Sequence, residues 1–478
     1  MGKRTGVSVS KNIAYNLLYQ LSLYITPLIT TPYLSRVLGG EMIGRYSFAQ
    51  SIVSYFVLVA TMGTSYYGQR RIAAATGDNE TQTRDFWEIV CLRGATTIVA
   101  IALYCGFVVP RSIDPILYVV AGLEILQVSM DISWYFQGKE SFQVIALCSG
   151  TARIMAVVLI LLFVKKPEDL SVYVFLYCGT LLLGFLSQWL YLPRYLNKGV
   201  HLHREKRIMS FHLISSVKLF VAQAAIQVYT VLDKTMIGMI TNSELQNGYY
   251  EQAQKLVRIL VAVSTSISAV MASRIAVLSS KKDSKAIEET VEFSFRFVSC
   301  ISIPIIFGIV LVAQDFVPFF YGQGYDGVIE LLVILSALPL VIGCSNIIGI
   351  QYLVPTGQEK FLTISVLAGS AVNVILNFFL IRAYAAAGAA IASIIAEICV
   401  TLVQFIAVRK QISAGRVLKI ILRYILLSIP MFVVGVVIRG VVQAGVLRLA
   451  LVICGCVIMY GVELILTRDP FMKAFGKE

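Results

Sequence analysis

The chain has 478 residues, of which 58% are hydrophobic and only 14% charged, and its mean hydropathy is +0.79. This composition indicates a polytopic membrane protein. The net charge of +13 does not indicate nucleic-acid binding, because no aromatic-basic RNA motif or zinc-ligand spacing accompanies it.

Apolar runs of about 18 residues or more recur along the whole chain, and each is long enough to cross roughly 30 Å of hydrocarbon as a helix. They predict an all-α fold with about fourteen transmembrane helices. In chain order the predicted spans are residues 12–38, 42–65, 86–109, 113–137, 141–164, 170–193, 212–240, 248–278, 291–313, 328–353, 361–382, 385–408, 418–438 and 446–466.

Lys and Arg residues predict the orientation, because short cytoplasmic loops retain them. Alternate connections place roughly two dozen of the 40 basic residues on one side and about eight on the other. Both termini are therefore predicted to be cytoplasmic, and most of the net charge is a topology signal. The first span is too long for a signal-peptide core, so we expect it to remain in the mature protein.

An internal repeat organises the chain. The motif Gly44-x-Tyr46-x-x-Ala49-Gln50 recurs as Gly248-x-Tyr250-x-x-Ala253-Gln254, and each copy is followed by an Arg-Ile-Ala triplet, at residues 71–73 and 274–276. Six predicted spans separate the copies, so both halves enter the membrane in the same direction, as in parallel-repeat transporters. We predict a six-helix lobe at 1–200, a second at 201–410, and two additional helices with a cytoplasmic tail at 411–478.

Several charged residues lie inside predicted spans. Such groups are costly in hydrocarbon and are functional candidates by default. The basic ones predict an anionic group on the bound or transported molecule; they are Arg153, Lys234, Lys255 and Arg258. Glu251, Lys255 and Arg258 follow i, i+4, i+7 spacing, so they share one helical face, which we expect to line a cavity.

A resemblance follows from further motifs. Pro32-Tyr-Leu-Ser-Arg36-Val-Leu-Gly39, the first repeat copy, Asp233-Lys234-x-Met236-Ile237-Gly238 and Tyr321-Gly322-x-Gly324-Tyr325 are similar to segments of the bacterial polysaccharide flippases. These belong to the multidrug/oligosaccharidyl-lipid/polysaccharide exporter superfamily. The resemblance covers most of residues 10–410.

The resemblance implies two six-helix bundles around a central cavity, usually with two extra helices. It also implies that the protein flips undecaprenyl-diphosphate-linked oligosaccharide to the outer leaflet of the bacterial inner membrane by alternating access, for surface polysaccharide synthesis. The partners would be this lipid-linked oligosaccharide, membrane lipids and other polysaccharide assembly proteins, with no nucleic acid.

A diphosphate substrate would explain the basic residues, since cationic side chains in a wet cavity lower the barrier to its crossing. Lys234, Arg36 and Arg45 would extend the basic surface toward the exit side. Two alternatives stay open. In the first, the side chains of Arg36, Arg45 and Lys234 could snorkel to the membrane boundary. In the second, Arg153 and Arg258 could form buried structural ion pairs.

Acidic residues within the spans have two interpretations. They could carry coupling protons or sodium, or they could pair with Arg153 or Lys234. The residues are Glu124, Asp131, Asp233 and Glu397. Glu397 has no basic neighbour evident in its own helix, which makes it the best candidate for ion coupling.

No enzyme is predicted. The chain shows no nucleophile-base arrangement, phosphate-cradling loop or metal motif, and the nine cysteines are scattered in apolar spans, so no cofactor or metal site is expected. The three histidines, His201, His203 and His212, lie on or beside a basic cytoplasmic loop. Two rival functions are a multidrug exporter of the same superfamily, for which a basic cavity is unfavourable, and a membrane-embedded polysaccharide polymerase or ligase, for which the outer loops are short.

Overall fold

A computed structural model of the protein describes residues 9–197 and 206–469. Within these ranges all regular secondary structure is helical, which confirms the predicted all-α class. The chain divides into two compact units, Met1–Thr235 and Met236–Glu478. The predicted lobe boundary near residue 200 stays a prediction. His201 and His203 lie outside the described residues.

The first unit contains eight complete α-helices among its described residues and most of a ninth. They are α1 Val9–Thr61, α2 Thr64–Ala74, α3 Asn79–Leu103, α4 Pro115–Ala121, α5 Leu123–Met130, α6 Ser133–Gly138, α7 Phe142–Phe163, α8 Leu170–Tyr191 and α9 Lys206–Thr241.

The second unit begins within α9 and continues through eight further helices in the described part of the chain. They are α10 Glu244–Ser264, α11 Ser268–Ser280, α12 Ser284–Tyr321, α13 Asp326–Leu335, α14 Leu338–Asn346, α15 Glu359–Val408, α16 Ala414–Val441 and α17 Val446–Leu466. A π-helical turn, Ile347–Leu353, follows α14 directly.

Eleven helical segments of the described residues are long and apolar enough to cross a membrane. Two of the segments each correspond to two predicted spans, because α1 is interrupted at Gly39 and α15 at Ala385, where the backbone leaves the helical region. The predicted seventh span corresponds to α9. The protein is therefore a multi-pass membrane protein, while the count of fourteen spans stays a prediction.

The fourth predicted span is not one continuous helix. It is interrupted between Met130 and Ser133, where backbone groups that lack a helical partner make other hydrogen bonds. Arg93, only 1% exposed, donates hydrogen bonds to the main-chain oxygen of Asp131 and to the Ser65 hydroxyl. The Asp131 carboxylate accepts from the amide of Ser133 at 2.8 Å. Such pairing is what permits non-helical backbone at membrane depth.

The internal repeat extends to these helix interruptions. In the first copy α1 ends at Thr61 and α2 begins at Thr64, and in the second copy α10 ends at Ser264 and α11 begins at Ser268. The fourth and tenth predicted spans are likewise both divided, the fourth after Ala121 and Met130 and the tenth after Leu335. The two halves therefore share a pattern of broken helices as well as a sequence motif.

Close packing holds α2 against α6 in the first unit. A Cβ added at Gly68 would lie 2.4 Å from the indole of Trp134, and one at Gly138 would lie 2.8 Å from Ile72. Small residues of this kind let helices approach closely where lipid gives no hydrophobic driving force. The contact brings Gln69 and Gln137, the neighbours of the two glycines, to one side of the unit.

Candidate functional site

A polar cluster lies inside the first unit around Glu124 of α5. Its Oε1 atom accepts hydrogen bonds from the Tyr46 hydroxyl at 2.9 Å and from the Gln50 amide at 3.1 Å. Lys234 of α9 interacts electrostatically with the same carboxylate. Two hydrogen-bond donors and a nearby cation are the partners that a carboxyl group needs at bilayer depth.

The end of α9 within the first unit carries three polar residues in succession. Asp233 and Lys234 are 4% and 7% exposed, so both are enclosed by protein and neither projects into lipid. Thr235 hydrogen-bonds to the hydroxyls of Tyr55 and Ser51, both at 3.0 Å. These bonds fasten α9 to α1 and fix the position from which Lys234 acts on Glu124.

Arg153 lies at a groove between α1 and α7 with a volume of about 470 Å³. Tyr15, Ser22 and Thr26 also line the groove, and the remaining lining is mostly aliphatic. The Nε atom of Arg153 is buried and has no hydrogen-bond partner among the described residues. The guanidinium lies near the hydroxyls of Tyr19 and Tyr177.

No salt bridge to Arg153 occurs within the described part of the chain, so the structural ion pair considered from the sequence is not found there. Asp131 interacts electrostatically with Tyr19, the same tyrosine that lies near Arg153. An arginine at an open groove with no carboxylate paired to it there is suited to attract an anion.

Arg36 and Arg45 lie on either side of the interruption at Gly39 in α1. Arg36 is exposed and donates to the main-chain oxygen of Pro32 at 3.1 Å, whereas Arg45 is half-buried. Their contribution to a basic exit path stays a prediction.

In the second unit, the predicted charged face of α10 changes from buried to exposed along the helix. Glu251 is buried, and its Oε1 lies 3.4 Å from the Nζ of half-buried Lys255. Arg258 is exposed and donates to Gln254 at 2.8 Å. Glu397 of α15 is half-buried in the same unit. Lys255 is thus partly neutralised within its own helix, while Arg258 presents its charge at the helix surface.

A second polar cluster of the first unit was not predicted. His212 of α9 is buried, with Nδ1 2.7 Å from the Tyr67 hydroxyl and Nε2 2.7 Å from Glu88. Asp85 lies beside them and accepts a 2.8 Å hydrogen bond from Arg71. One ligand atom each of Asp85, Glu88 and His212 lies within 4.8 Å of the others. The i, i+3 spacing of Asp85 and Glu88 at the start of a span was the available signal.

The cluster around Glu124 was partly accessible from the sequence. Tyr46 and Gln50 are members of the repeat motif, and their i, i+4 spacing places both on the face of α1 that meets Glu124. What the motif could not reveal is the identity of the acceptor, which lies 78 residues from Tyr46 in the chain.

A multi-pass, all-α fold with charged groups enclosed at membrane depth defines a class of membrane transport proteins. Solved structures share this fold. The lipid II flippase MurJ in an inward closed conformation superposes with a TM-score of 0.76 at 15% identity, covering 96% of this chain and 99% of that one. An inward-facing multidrug resistance MATE family transporter superposes with a TM-score of 0.62 at 13% identity, covering 87% and 97%.

Residues 9–273 match the polysaccharide biosynthesis protein family, and the chain belongs to that family. It is 24% identical over 433 residues to a "Putative O-antigen transporter" of Escherichia coli (strain K12), covering 85% of this chain and 98% of the relative. It is also 25% identical over 166 residues, 34% of each chain, to a "Probable low-salt glycan biosynthesis flippase Agl15" of Haloferax volcanii.

Proposed function

We propose that the protein flips undecaprenyl-diphosphate-linked oligosaccharide units across the membrane by alternating access, for surface polysaccharide synthesis. The observation that carries the proposal is Arg153, a cation at bilayer depth on an open groove and without a salt bridge among the described residues. A basic group in this position favours an anionic lipid headgroup over the cationic drugs that a multidrug exporter would take. The relatives with O-antigen transporter and flippase names support the same class of substrate.

Six basic residues form the proposed binding set for the diphosphate. Arg153 offers a planar fork that can hold two phosphate oxygens, and Lys234 provides a compact charge beside Glu124. Arg36, Arg45, Lys255 and Arg258 would receive the headgroup as it moves. A diphosphate carries about two negative charges and loses hydration when it leaves water. Each such contact would replace part of that hydration.

The four carboxylates divide into two proposed roles. Glu124 is hydrogen-bonded and faces Lys234, and Asp131 binds the amide of Ser133, so both serve first to pair and to position. Asp233 is buried beside Lys234. We propose Glu397 as the ion-coupling residue, whose protonation or sodium binding would link the conformational change to a gradient.

The proposed setting is the bacterial inner membrane, with both termini in the cytoplasm. The protein would act as a transporter without breaking a covalent bond in its substrate. Its energy would come from an ion gradient or from the consumption of the flipped product. Other polysaccharide assembly proteins would receive the product on the outer face.

Complementation of a strain that lacks its own flippase tests the proposal. The wild-type gene should restore surface glycan and remove the accumulated lipid-linked intermediate. Arg153→Ala and Arg258→Ala should leave the intermediate in the membrane at equal protein level. If both variants export glycan as the wild type does, the assigned binding set is wrong. If the wild type restores nothing in a strain with the matching glycan, the proposed function is wrong.

A further inference from the structure

A second cavity of the first unit, separate from the Arg153 groove, has several polar side chains in its walls. It measures about 420 Å³ and lies where α1, α2, α6 and the start of α7 meet. Four side-chain amides line it, with one carboxylate and one aromatic ring. They belong to Asn12, Asn16, Gln69, Gln137, Glu140 and Phe142.

One of these amides has an unused acceptor. The Oδ1 atom of Asn12 is buried and has no hydrogen-bond partner among the described residues. A buried polar atom of this kind costs free energy unless a ligand or water satisfies it. The Asn12 side chain lines the cavity, so a turn of its amide would present this acceptor to a hydrogen-bonding molecule there.

The chemistry of the walls selects the kind of molecule. An amide side chain offers both donors and an acceptor, which matches the hydroxyl groups of a sugar. Glu140 contributes a negative charge, which would repel a phosphate. A cavity of this size falls within the range of small-molecule sites, about 300 to 1,000 Å³. A neutral glycan fits these properties, and a diphosphate does not.

The two cavities lie in sequence along the same helices. The polar cavity is lined by Asn12 and Asn16 of α1 and by Phe142 of α7, and the Arg153 groove follows from Tyr15 on α1 and from Ala146 on α7. Eleven residues of α7 separate Phe142 from Arg153, which is about 16 Å of helix. The Arg153 groove then continues into aliphatic walls such as Ile154, Val157 and Val158.

This order of surfaces corresponds to the parts of a lipid-linked oligosaccharide. We infer that the amide cavity is a sugar-binding subsite that recognises the glycan while Arg153 holds the diphosphate and the aliphatic walls receive the start of the polyprenyl chain. The inference rests on the proposed function and deepens it. The subsite would give the protein a preference for the glycan-bearing lipid over the same lipid without sugar.

Binding of two radiolabelled lipids to the full-length protein in nanodiscs tests the inference. One probe is undecaprenyl diphosphate, and the other is the lipid-linked repeat unit isolated from the strain that encodes the protein. The wild type should bind the glycan-bearing probe about tenfold more tightly. The double variant Asn12→Leu, Gln137→Leu should bind both probes equally, with its affinity for undecaprenyl diphosphate unchanged. Arg153→Gln should weaken the binding of both.

Matched controls are present on the same helices. Gln20 and Gln143 are exposed amides that line neither cavity, so Gln20→Leu and Gln143→Leu should keep the wild-type preference. Thermal unfolding of the double variant guards against a folding defect. Asn12→Leu removes no protein hydrogen bond of the buried Oδ1 atom and should not lower the unfolding temperature.

Two results would overturn the inference while the proposed function stands. In one, the double variant keeps the wild-type preference for the glycan-bearing probe. In the other, the wild type binds both probes with equal affinity. If the wild type binds neither probe, the proposed function fails, and the sugar subsite fails with it.

Discussion

The Tyr46 hydroxyl on α1 donates a 2.9 Å hydrogen bond to the carboxylate of Glu124 on α5. The bond joins a residue of the repeat motif to an acidic side chain that lies within an otherwise apolar span. It shows that the motif contributes polar contacts inside the first unit as well as helix packing.

Replacing Glu124 should separate the effect of its hydrogen bonds from that of its charge. Glu124→Ala leaves Tyr46 and Gln50 without their acceptor, and we expect a loss of about 1 to 3 kcal/mol in the free energy of unfolding. Glu124→Gln keeps an acceptor and should lose less. Unfolding in detergent, followed by circular dichroism, measures both. Equal stability of the two variants and the wild type would contradict the role of these bonds.

Arg153 and Arg448 should respond in opposite ways to the loss of charge. Arg153→Gln removes the charge proposed to bind the diphosphate, so transport should fall about tenfold or more. It removes no salt bridge of the described structure, so the unfolding temperature should change little. Arg448 holds Asp315 with two bonds of 2.7 and 2.6 Å, and Arg448→Gln should lower the unfolding temperature. Lipid-linked glycan accumulation and thermal unfolding, measured on both variants, check the contrast. A strongly destabilised Arg153→Gln protein would count against a binding role.

Two neighbouring positions of α15 should show opposite stability changes. Ala385 has φ 48° and ψ −127°, a conformation that a residue with a Cβ adopts only with strain. Ala385→Gly should therefore stabilise the protein by about 1 kcal/mol. A Cβ at Gly388 would lie 2.0 Å from the main-chain oxygen of Leu380, so Gly388→Ala should destabilise it. Denaturant titration of the two variants gives the sign, and a stable Gly388→Ala protein would refute the close contact.

The helix cap at Asp78 should make part of the stability depend on pH. Hydrogen bonds from the Thr81 hydroxyl and from the Thr81 and Glu80 amides hold the pKa of Asp78 below its ordinary value. A depressed pKa means that the stabilisation is complete above the unfolded pKa, near pH 4, and is lost as the pH falls through the folded one. The wild type should be more stable than Asp78→Ala at pH 7, and the difference should shrink below about pH 4. A difference that stays constant from pH 7 to pH 3 would exclude this linkage.

Glu397 gives the test of ion coupling. Glu397→Gln removes the titratable group, and transport should lose its dependence on the ion gradient. Flipping in proteoliposomes, measured with imposed proton and sodium gradients, is the assay, and Glu463→Gln is a control at a membrane boundary of α17. Transport by Glu397→Gln that follows the gradient as in the wild type would remove this residue from consideration.

Much of the fold could be predicted because membrane helices are long apolar runs, and the predicted gap at residues 39–41 falls at the interruption of α1 at Gly39. The break between α10 and α11 was not predicted, because its residues, Thr265 to Ile267, include neither Gly nor Pro. The corresponding break in the first copy contains Gly63, whose Cβ would lie 2.5 Å from the Ser216 main-chain oxygen. Comparison of the two copies would have located both.

The candidate site was harder to predict than the fold, and for a physical reason. The position of a charge in an apolar run is visible in the sequence, so Arg153 and Glu124 could be singled out. The partners come from distant segments, as with His212 and Glu88, which are 124 residues apart. Local periodicity carries no information on such pairs.

The turn at Met62 and Gly63 also sets where the polar cavity meets the membrane. From Gly40 to Thr61 the chain forms 22 residues of helix, about 33 Å, which is the thickness of the hydrocarbon layer. Because a helix of this length spans the hydrocarbon layer, we expect α2 and its Gln69 to lie at the polar boundary of the membrane. A glycan bound there would contact the protein while it is still hydrated. A glycan that does not fit could dissociate into the aqueous phase before any conformational change of the transporter.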